Sequence, residues 1–251
     1  MADSLEAFLH EPDVPERTLA VVDPEQPEPV HDLFVNAFGS LDIDLSRGDI
    51  SVDADESVVL LEDGDVVATS SIESLRETVL LVNSDLYTTG LSGIEGRKAP
   101  AVLTELDGAV YTLRGFPAST KEKLLLIVMS RYIERRALEA GEGRLDVAFQ
   151  QLSQMRGEYG TKRTYRRLLK TDLDVHVYGV PDTDLGDVDA TVHAGWSRRY
   201  RRTWFVVFAP PNGGDPAALV AVETDRNTWR ATWTYDRGRV EAIRDHIVER
   251  F

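Results

Sequence analysis

Ten residues near the C-terminal end combine aromatic faces with fixed positive charge: Trp196, Arg198, Arg199, Tyr200, Arg201, Arg202, Trp204, Trp229, Arg230 and Trp233. All four tryptophans of the chain lie among them. A guanidinium stacks on an indole face and forks onto a carboxylate or phosphate, so this set suits an anionic or planar ligand, or a partner carrying such groups. Trp196, Arg198, Arg199, Tyr200, Arg202, Trp204 and Trp229 are the candidate binding residues. The same residues also support a second reading. Alternate members of 204–208 and 229–233 would then be core, and the arginines would neutralise acids elsewhere in the chain. Single-stranded nucleic acid uses the same residue types. A net charge of -15 repels it, however, and concentrated salt would strip the phosphate contacts, so no nucleic-acid partner is expected.

Other chemistry is thinly represented. With no cysteine, the chain has no disulfide, thiolate metal site or cysteine nucleophile. His10, His31, His176, His193 and His246 show no metal-ligand spacing, and His176, within an apolar alternation, reads as a hydrogen-bonded core histidine. No serine sits in a Gly-x-Ser-x-Gly elbow. Gly90, Gly93 and Gly96 are followed by no Gly-Lys-Ser/Thr, so no phosphate loop is assigned. Acidic pairs such as Asp63 with Asp65 carry little information in so acidic a chain. No catalytic residue, metal ligand or cofactor is nominated. An enzyme would have to use the glycine-containing loop 84–100, with Ser84, Asp85 and Tyr87 as polar groups. A further basic set, Arg156, Lys162, Arg163, Arg166, Arg167 and Lys170, fits one solvated helix face.

Of 28 basic residues only five are lysine, set against 43 acids. That balance points to a salt-rich cytoplasm, where excess negative charge keeps a protein hydrated. At about 1 M salt the Debye length is about 3 Å, so only close charge pairs matter. Residues 1–110 hold 24 acids and five bases, and the remainder holds 19 acids and 23 bases. No signal segment and no run of about 20 apolar residues is present, so a soluble cytoplasmic protein is expected.

The elements that must position these residues follow from apolar periodicity. Residues 4–11 read as a short helix, 18–23 as a strand, 29–38 as a helix and 41–45 as a strand. The run 57–70 reads as a hairpin turning at Glu-Asp-Gly-Asp, 71–83 as a helix, 84–100 as a loop and 109–115 as a strand. The strongest helix covers 119–141, with a capping box at Ser119 and Glu122, an apolar first half, a stop at Gly141 and a charged second half (Arg131, Glu134, Arg135, Arg136, Glu139) returning to solvent. Residues 146–155 read as a helix or turn and 161–171 as a basic helix. Strands follow at 173–180, 203–209, 218–224 and 227–235, and an amphipathic helix ends the chain. These elements predict a single-domain α/β fold with a mixed, largely antiparallel sheet around one long central helix.

Residues 148–182, AFQQLSQMRGEYGTKRTYRRLLKTDLDVHVYGVPD, resemble the DICT sensory domain, named for diguanylate cyclases and two-component systems. Its middle is similar in the FQQLS element, the tyrosine and arginine stretch, and the strand ending Val177-Tyr178-Gly179-Val180-Pro181-Asp182. Trp204 to Phe208, Ala218 to Glu223, and Trp229 through Trp233-Thr234-Tyr235-Asp236 resemble its closing strands. The helix from Ser119 resembles the family's long helix. The likeness is best over 119–251 and extends from about 17, leaving 1–16 as an N-terminal helix and arm. It implies a non-catalytic sensory module that usually adjoins a kinase, cyclase or phosphodiesterase. No kinase box, cyclase signature or helix-turn-helix occurs in this chain. The resemblance then implies action in trans on a signalling partner such as a kinase or response regulator, sensing an unknown small ligand. A homodimeric interaction protein is the alternative, built on the apolar half of helix 119–141 or on the C-terminal helix.

Overall fold

Runs such as Phe205-Val206-Val207-Phe208 are apolar at every position, and a strand of that kind must be covered on both faces. The structure, a computed structural model, describes residues 4–9, 17–22, 44–47, 57–75, 100–114, 123–157, 159–211, 213–226 and 228–251. Its strands are β1 Arg17–Val22, β2 Asp44–Arg47, β3 Ser57–Glu62, β4 Asp65–Ser71, β5 Val110–Arg114, β6 Glu142–Gln151, β7 Asp172–Val180, β8 Thr191–Ala194, β9 Thr203–Ala209, β10 Ala217–Asp225 and β11 Thr228–Thr234. Its helices are α1 Ala101–Thr104, α2 Lys123–Ala140, α3 Gln154–Gly157, α4 Tyr159–Leu168, α5 Arg198–Arg201 and α6 Arg237–Arg250. Leu5–Leu9 forms a 3-10 turn and residues 72–75 are helical.

The strands form two sheets, in the orders β2-β1-β3-β4 and β5-β11-β10-β9-β6-β7-β8. In the larger sheet β6, β7 and β8 run parallel, and all other neighbours are antiparallel. Parallel neighbours need a crossover, and α3 and α4 supply it between β6 and β7. The expected α/β fold with a largely antiparallel sheet and a long helix is therefore present.

Alternation sorts each strand of the larger sheet onto two cores. Val206, Phe208, Leu219, Ala221, Trp229 and Trp233 join the core under α2 and α4, which continues through Val102 and Leu103 to Leu19, Val58 and Leu60 of the smaller sheet. Phe205, Val207, Ala218, Val220 and Tyr178 face the opposite way, against Val240, Ile243 and Ile247 of α6 and Leu5 and Leu9 of the 3-10 turn. Each face of the large sheet thus has its own helical cover. The two sheets are also tied by the Val102 amide, which donates to the Ser70 hydroxyl at 3.1 Å.

The hairpin turns as expected. Asp63 and Gly64 both take positive φ, 50° and 88°, as a tight turn between β3 and β4 requires. Gly141 likewise ends α2 at φ 70°.

Two expectations are corrected. Residues 146–151 belong to β6, not to a helix or turn. Leu145, Val147 and Ala148 are buried because β6 is central, flanked by β7 and β9, and a strand covered on both faces loses the alternation that would distinguish it. The second half of α2 does not return wholly to solvent either. Glu134 is buried, accepting from Arg131 at 2.6 Å and from the Tyr165 hydroxyl of α4 at 2.7 Å. The expected helix 29–38, the loop 84–100 with Ser84, Asp85 and Tyr87, and the capping box at Ser119 and Glu122 lie outside the described residues.

Candidate functional site

The edge of the large sheet and the turn that follows it carry the most exposed aromatic and basic chemistry. Among the described residues strand β8 is the last in its sheet. After it the chain passes Gly195 and Trp196 and forms α5, a single helical turn carrying Arg198, Arg199, Tyr200 and Arg201. Tyr200 anchors this turn: its ring packs edge-on to Phe251 at 5.3 Å, and its hydroxyl donates to the Phe251 carbonyl. Gly195 makes the anchor possible, because a Cβ there would stand 2.2 Å from the Tyr200 ring. With Tyr200 turned inward, the neighbouring arginines are turned out.

Trp196 is 62% exposed, and the Arg201 guanidinium lies 6.0 Å from its ring centre. Arg199 lies over the Phe251 ring at 5.9 Å. Arg198, Arg199 and Arg201 are exposed and have no carboxylate partner among the described residues. Three unneutralised guanidiniums within four residues, one beside an exposed indole, form a surface that can fork onto carboxylate or phosphate.

The other candidate residues are placed differently. Arg202 pairs with Glu223 at 3.1 Å. Trp204 is half-buried and Trp229 buried, both against the α2 side of the sheet, whereas Tyr200 belongs to the core on the α6 side. The structure thus brings Trp196, Arg198, Arg199 and Tyr200 into one neighbourhood and sets Trp204 and Trp229 on the far face. Arg156, from the second basic set, donates to the Leu185 carbonyl.

Beneath β8 runs a line of polar groups that motif spacing did not reveal. Asp146 of β6 is fully buried and accepts two bonds from Arg144, each 2.8 Å, and one from the Tyr178 hydroxyl, also 2.8 Å. The His193 ring stacks on Tyr178, with centres 4.3 Å apart and planes 7° apart. Its Nε2 is 2.9 Å from His176 Nδ1, and His176 Nε2 is 3.0 Å from Asp174 Oδ2. A carboxylate can only accept, so neutral His176 carries its proton on Nε2 and takes the His193 Nε2–H at Nδ1. The reading of His176 as a hydrogen-bonded buried histidine fits this placement.

Burial, and then the neighbouring His176, hold His193 below the ordinary imidazole value. Burial raises the Tyr178 hydroxyl above the usual phenol value, and the Asp146 charge adds to that. The Asp146 hydrogen bonds and charge raise the Arg144 guanidinium further. The line therefore ties β7 to β6 through charge-assisted bonds at Asp146, and ties β8 to β7 through the His193–His176 hydrogen bond and the stack on Tyr178. The signal was present in Asp174, His176 and Tyr178, which share one face of β7 at a spacing of two. Asp146 became legible only with β6 read as a strand. No group of three metal-ligating side chains occurs among the described residues.

Residues 100–224 match the family model of DICT, described as a sensory domain in diguanylate cyclases and two-component systems. The chain carries a DICT domain. The matched stretch runs from α1 to β10, so it contains the polar line, β8 and the arginine turn of the DICT domain, while β11 and α6 lie beyond it. No curated protein matches the chain. Among solved structures, polyphosphate kinase from Porphyromonas gingivalis is similar at 9% identity with a TM-score of 0.34. The alignment covers 97% of this chain and 46% of the kinase, so the chain spans under half of that protein's length. A likeness at that score carries no functional argument.

Proposed function

We propose that this DICT domain is a non-catalytic sensory module that receives an anionic group on the surface formed by Trp196, Arg198, Arg199 and Arg201. The group would belong to a small ligand or to a signalling partner such as a kinase or response regulator, reached in trans. One observation carries the reading: three exposed guanidiniums without carboxylate partners stand beside an exposed indole, in a chain whose net charge is -15. The net charge repels anions from much of the surface, and this basic turn differs from the basic face of α4 in carrying an exposed indole. Its mounting supports a signalling role, since Tyr200, Phe251 and Tyr178 form a continuous edge-to-face chain from the turn to the polar line under β8. Among the described residues no helix is long and apolar enough to cross a membrane, and the cytoplasm is the compartment this reading implies.

The test is native mass spectrometry on protein purified in concentrated salt, followed by denaturation to release what is bound. A discrete mass present in the wild type and absent from Trp196→Ala and Arg201→Glu supports the reading. A bound species that survives both changes puts the site elsewhere. Protein that carries nothing, and whose Trp196 fluorescence is unmoved by inorganic phosphate or a hexaglutamate peptide, removes the reading altogether.

A further inference from the structure

Among the described residues, the exposed large apolar side chains are Val66, Val67, Val192, Trp196 and Val248. Four of the five fall at two places with opposite charge. Val66 and Val67 are consecutive on β4 and 48% and 42% exposed. The β3–β4 register shifts between Leu60 and Leu61, which pairs Leu61 with Val66 and leaves Val67 as an extra residue, so the two valines form an exposed bulge beside the turn. The tip, residues 62–67, holds Glu62, Asp63 and Asp65 and no basic residue. It is an apolar, acidic projection.

The second place is the β8 edge. The Gly195 amide donates to the Gly179 carbonyl at 3.1 Å, which turns Gly195 toward β7. Alternation then turns the backbone N–H and C=O of Val192 and Ala194 away from β7, toward the open edge. Soluble proteins commonly blunt such edges with lysine, proline or inward charge, and Thr191-Val192-His193-Ala194 has none of these at its outer positions. Val192 is 40% exposed, and Trp196 with the arginines of α5 follows directly. Acid faces base, valine faces valine and indole, and an open strand edge awaits a strand.

All four side chains stay exposed in the single chain, so the two places do not cover one another within it. We propose that the β3–β4 hairpin tip of one molecule docks on the β8 edge of a second copy, with Asp65 set against Arg198 and Arg201. The inference rests on the reading that the β8–α5 surface receives an anionic group, here supplied by another copy of the chain. Donor and acceptor patches differ, so the contact is either made twice across a twofold axis or repeated head to tail into a ring or an open chain. It also competes with any other anionic occupant of the same surface. A hairpin tip on a four-residue edge buries less than a standard interface, so association is weak and depends on concentration.

Sedimentation of the full chain over about 1 µM to about 1 mM tests this, a span that covers the affinities expected of a small interface. The wild type should rise in mean mass with concentration. Asp65→Arg and Arg201→Glu, both at exposed positions, should each stay monomeric with unchanged circular dichroism. Mixed together they should associate again, because arginine at 65 meets glutamate at 201. A wild type that stays monomeric throughout, or variants that associate as the wild type does, overturns the inference. If the wild type is monomeric yet a hexaglutamate peptide still shifts Trp196 fluorescence, the second-copy proposal falls and the anion-receiving reading stands. If the peptide is also without effect, both fall.

Discussion

Replacing Arg144 by methionine isolates the energetics of the polar line under β8. The Asp146 carboxylate is 0% exposed and holds three hydrogen bonds, two of them from Arg144, whose side chain is 26% exposed. Methionine keeps much of the arginine stem's packing and removes the charge, leaving a buried carboxylate whose remaining hydrogen bond among the described residues comes from the Tyr178 hydroxyl. Breaking a buried ion pair from one side costs about 3–5 kcal/mol, and the part-exposure of Arg144 puts this case near the lower end. Tyr178→Phe removes a single hydrogen bond to a charged group and leaves both Arg144 bonds. It should cost about 1.5–2 kcal/mol. Removing both charges, as Arg144→Met with Asp146→Leu, eliminates the uncompensated carboxylate and should recover most of the loss. Urea unfolding at 25 °C, followed by far-ultraviolet circular dichroism, reads all three, with a constant m-value confirming that stability alone has changed. Concentrated salt should leave the ordering intact, because a buried pair is poorly screened. If Arg144→Met costs no more than an exposed arginine, about 0.5 kcal/mol, or if the double variant is worse than the single, the carboxylate is not held as described.

Gly195→Ala places a Cβ 2.2 Å from the Tyr200 ring, so the ring must leave Phe251. It should cost about 1–3 kcal/mol and change iodide quenching of Trp196, and an unaltered near-ultraviolet spectrum and stability would refute the anchoring role. His193 is held below its ordinary value, so between about pH 6.5 and its folded-state value the unfolded chain binds the proton more tightly. Its contribution to stability is therefore present above about pH 6.5 and lost as the pH falls through that window. Imidazole resonances followed by NMR check this: His193 should titrate below about 6.5, and His193→Gln should flatten that part of the stability profile. Tyr165 is fully buried, and burial together with Glu134 raises its hydroxyl well above the usual phenol value. Stability should fall as the pH rises above about 10, where the unfolded chain ionises first, and Tyr165→Phe should remove part of that fall while costing about 1.5–3 kcal/mol at neutral pH.

Local pattern was sufficient where an element alternates over a long run or is closed by a residue of special geometry, and the four-residue β8 was too short to show a period. Asp63-Gly64 marked the hairpin, Gly141 marked the end of α2, and Asp174, His176 and Tyr178 were legible as one face of β7. The DICT likeness was also readable in the residues themselves, and the family model covers much of the same stretch. Central strands were the weak point. In β6 both faces are covered, so its apolar run has no strand period to distinguish it from a helix, and Asp146 could not be assigned a face.

Composition could show that tryptophan and arginine cluster between 196 and 233, but it could not say which of them face solvent. Strand pairing across the sheet made that decision. Trp229 and Trp233 fall on the buried α2 face, Trp204 is half-covered there, Arg202 is neutralised by Glu223, and Trp196 is left outside with three arginines. The sequence by itself determined most of the elements, though not β6 or β8, together with the hairpin turn and the charge imbalance between the two halves, because each is set by neighbouring residues. The tertiary structure alone decided the order β9-β6-β7-β8, and with it the buried Asp146, the stacked His193 and the open edge. Those depend on partners tens of residues apart, whose meeting is set by how two cores close on one sheet and not by any local period.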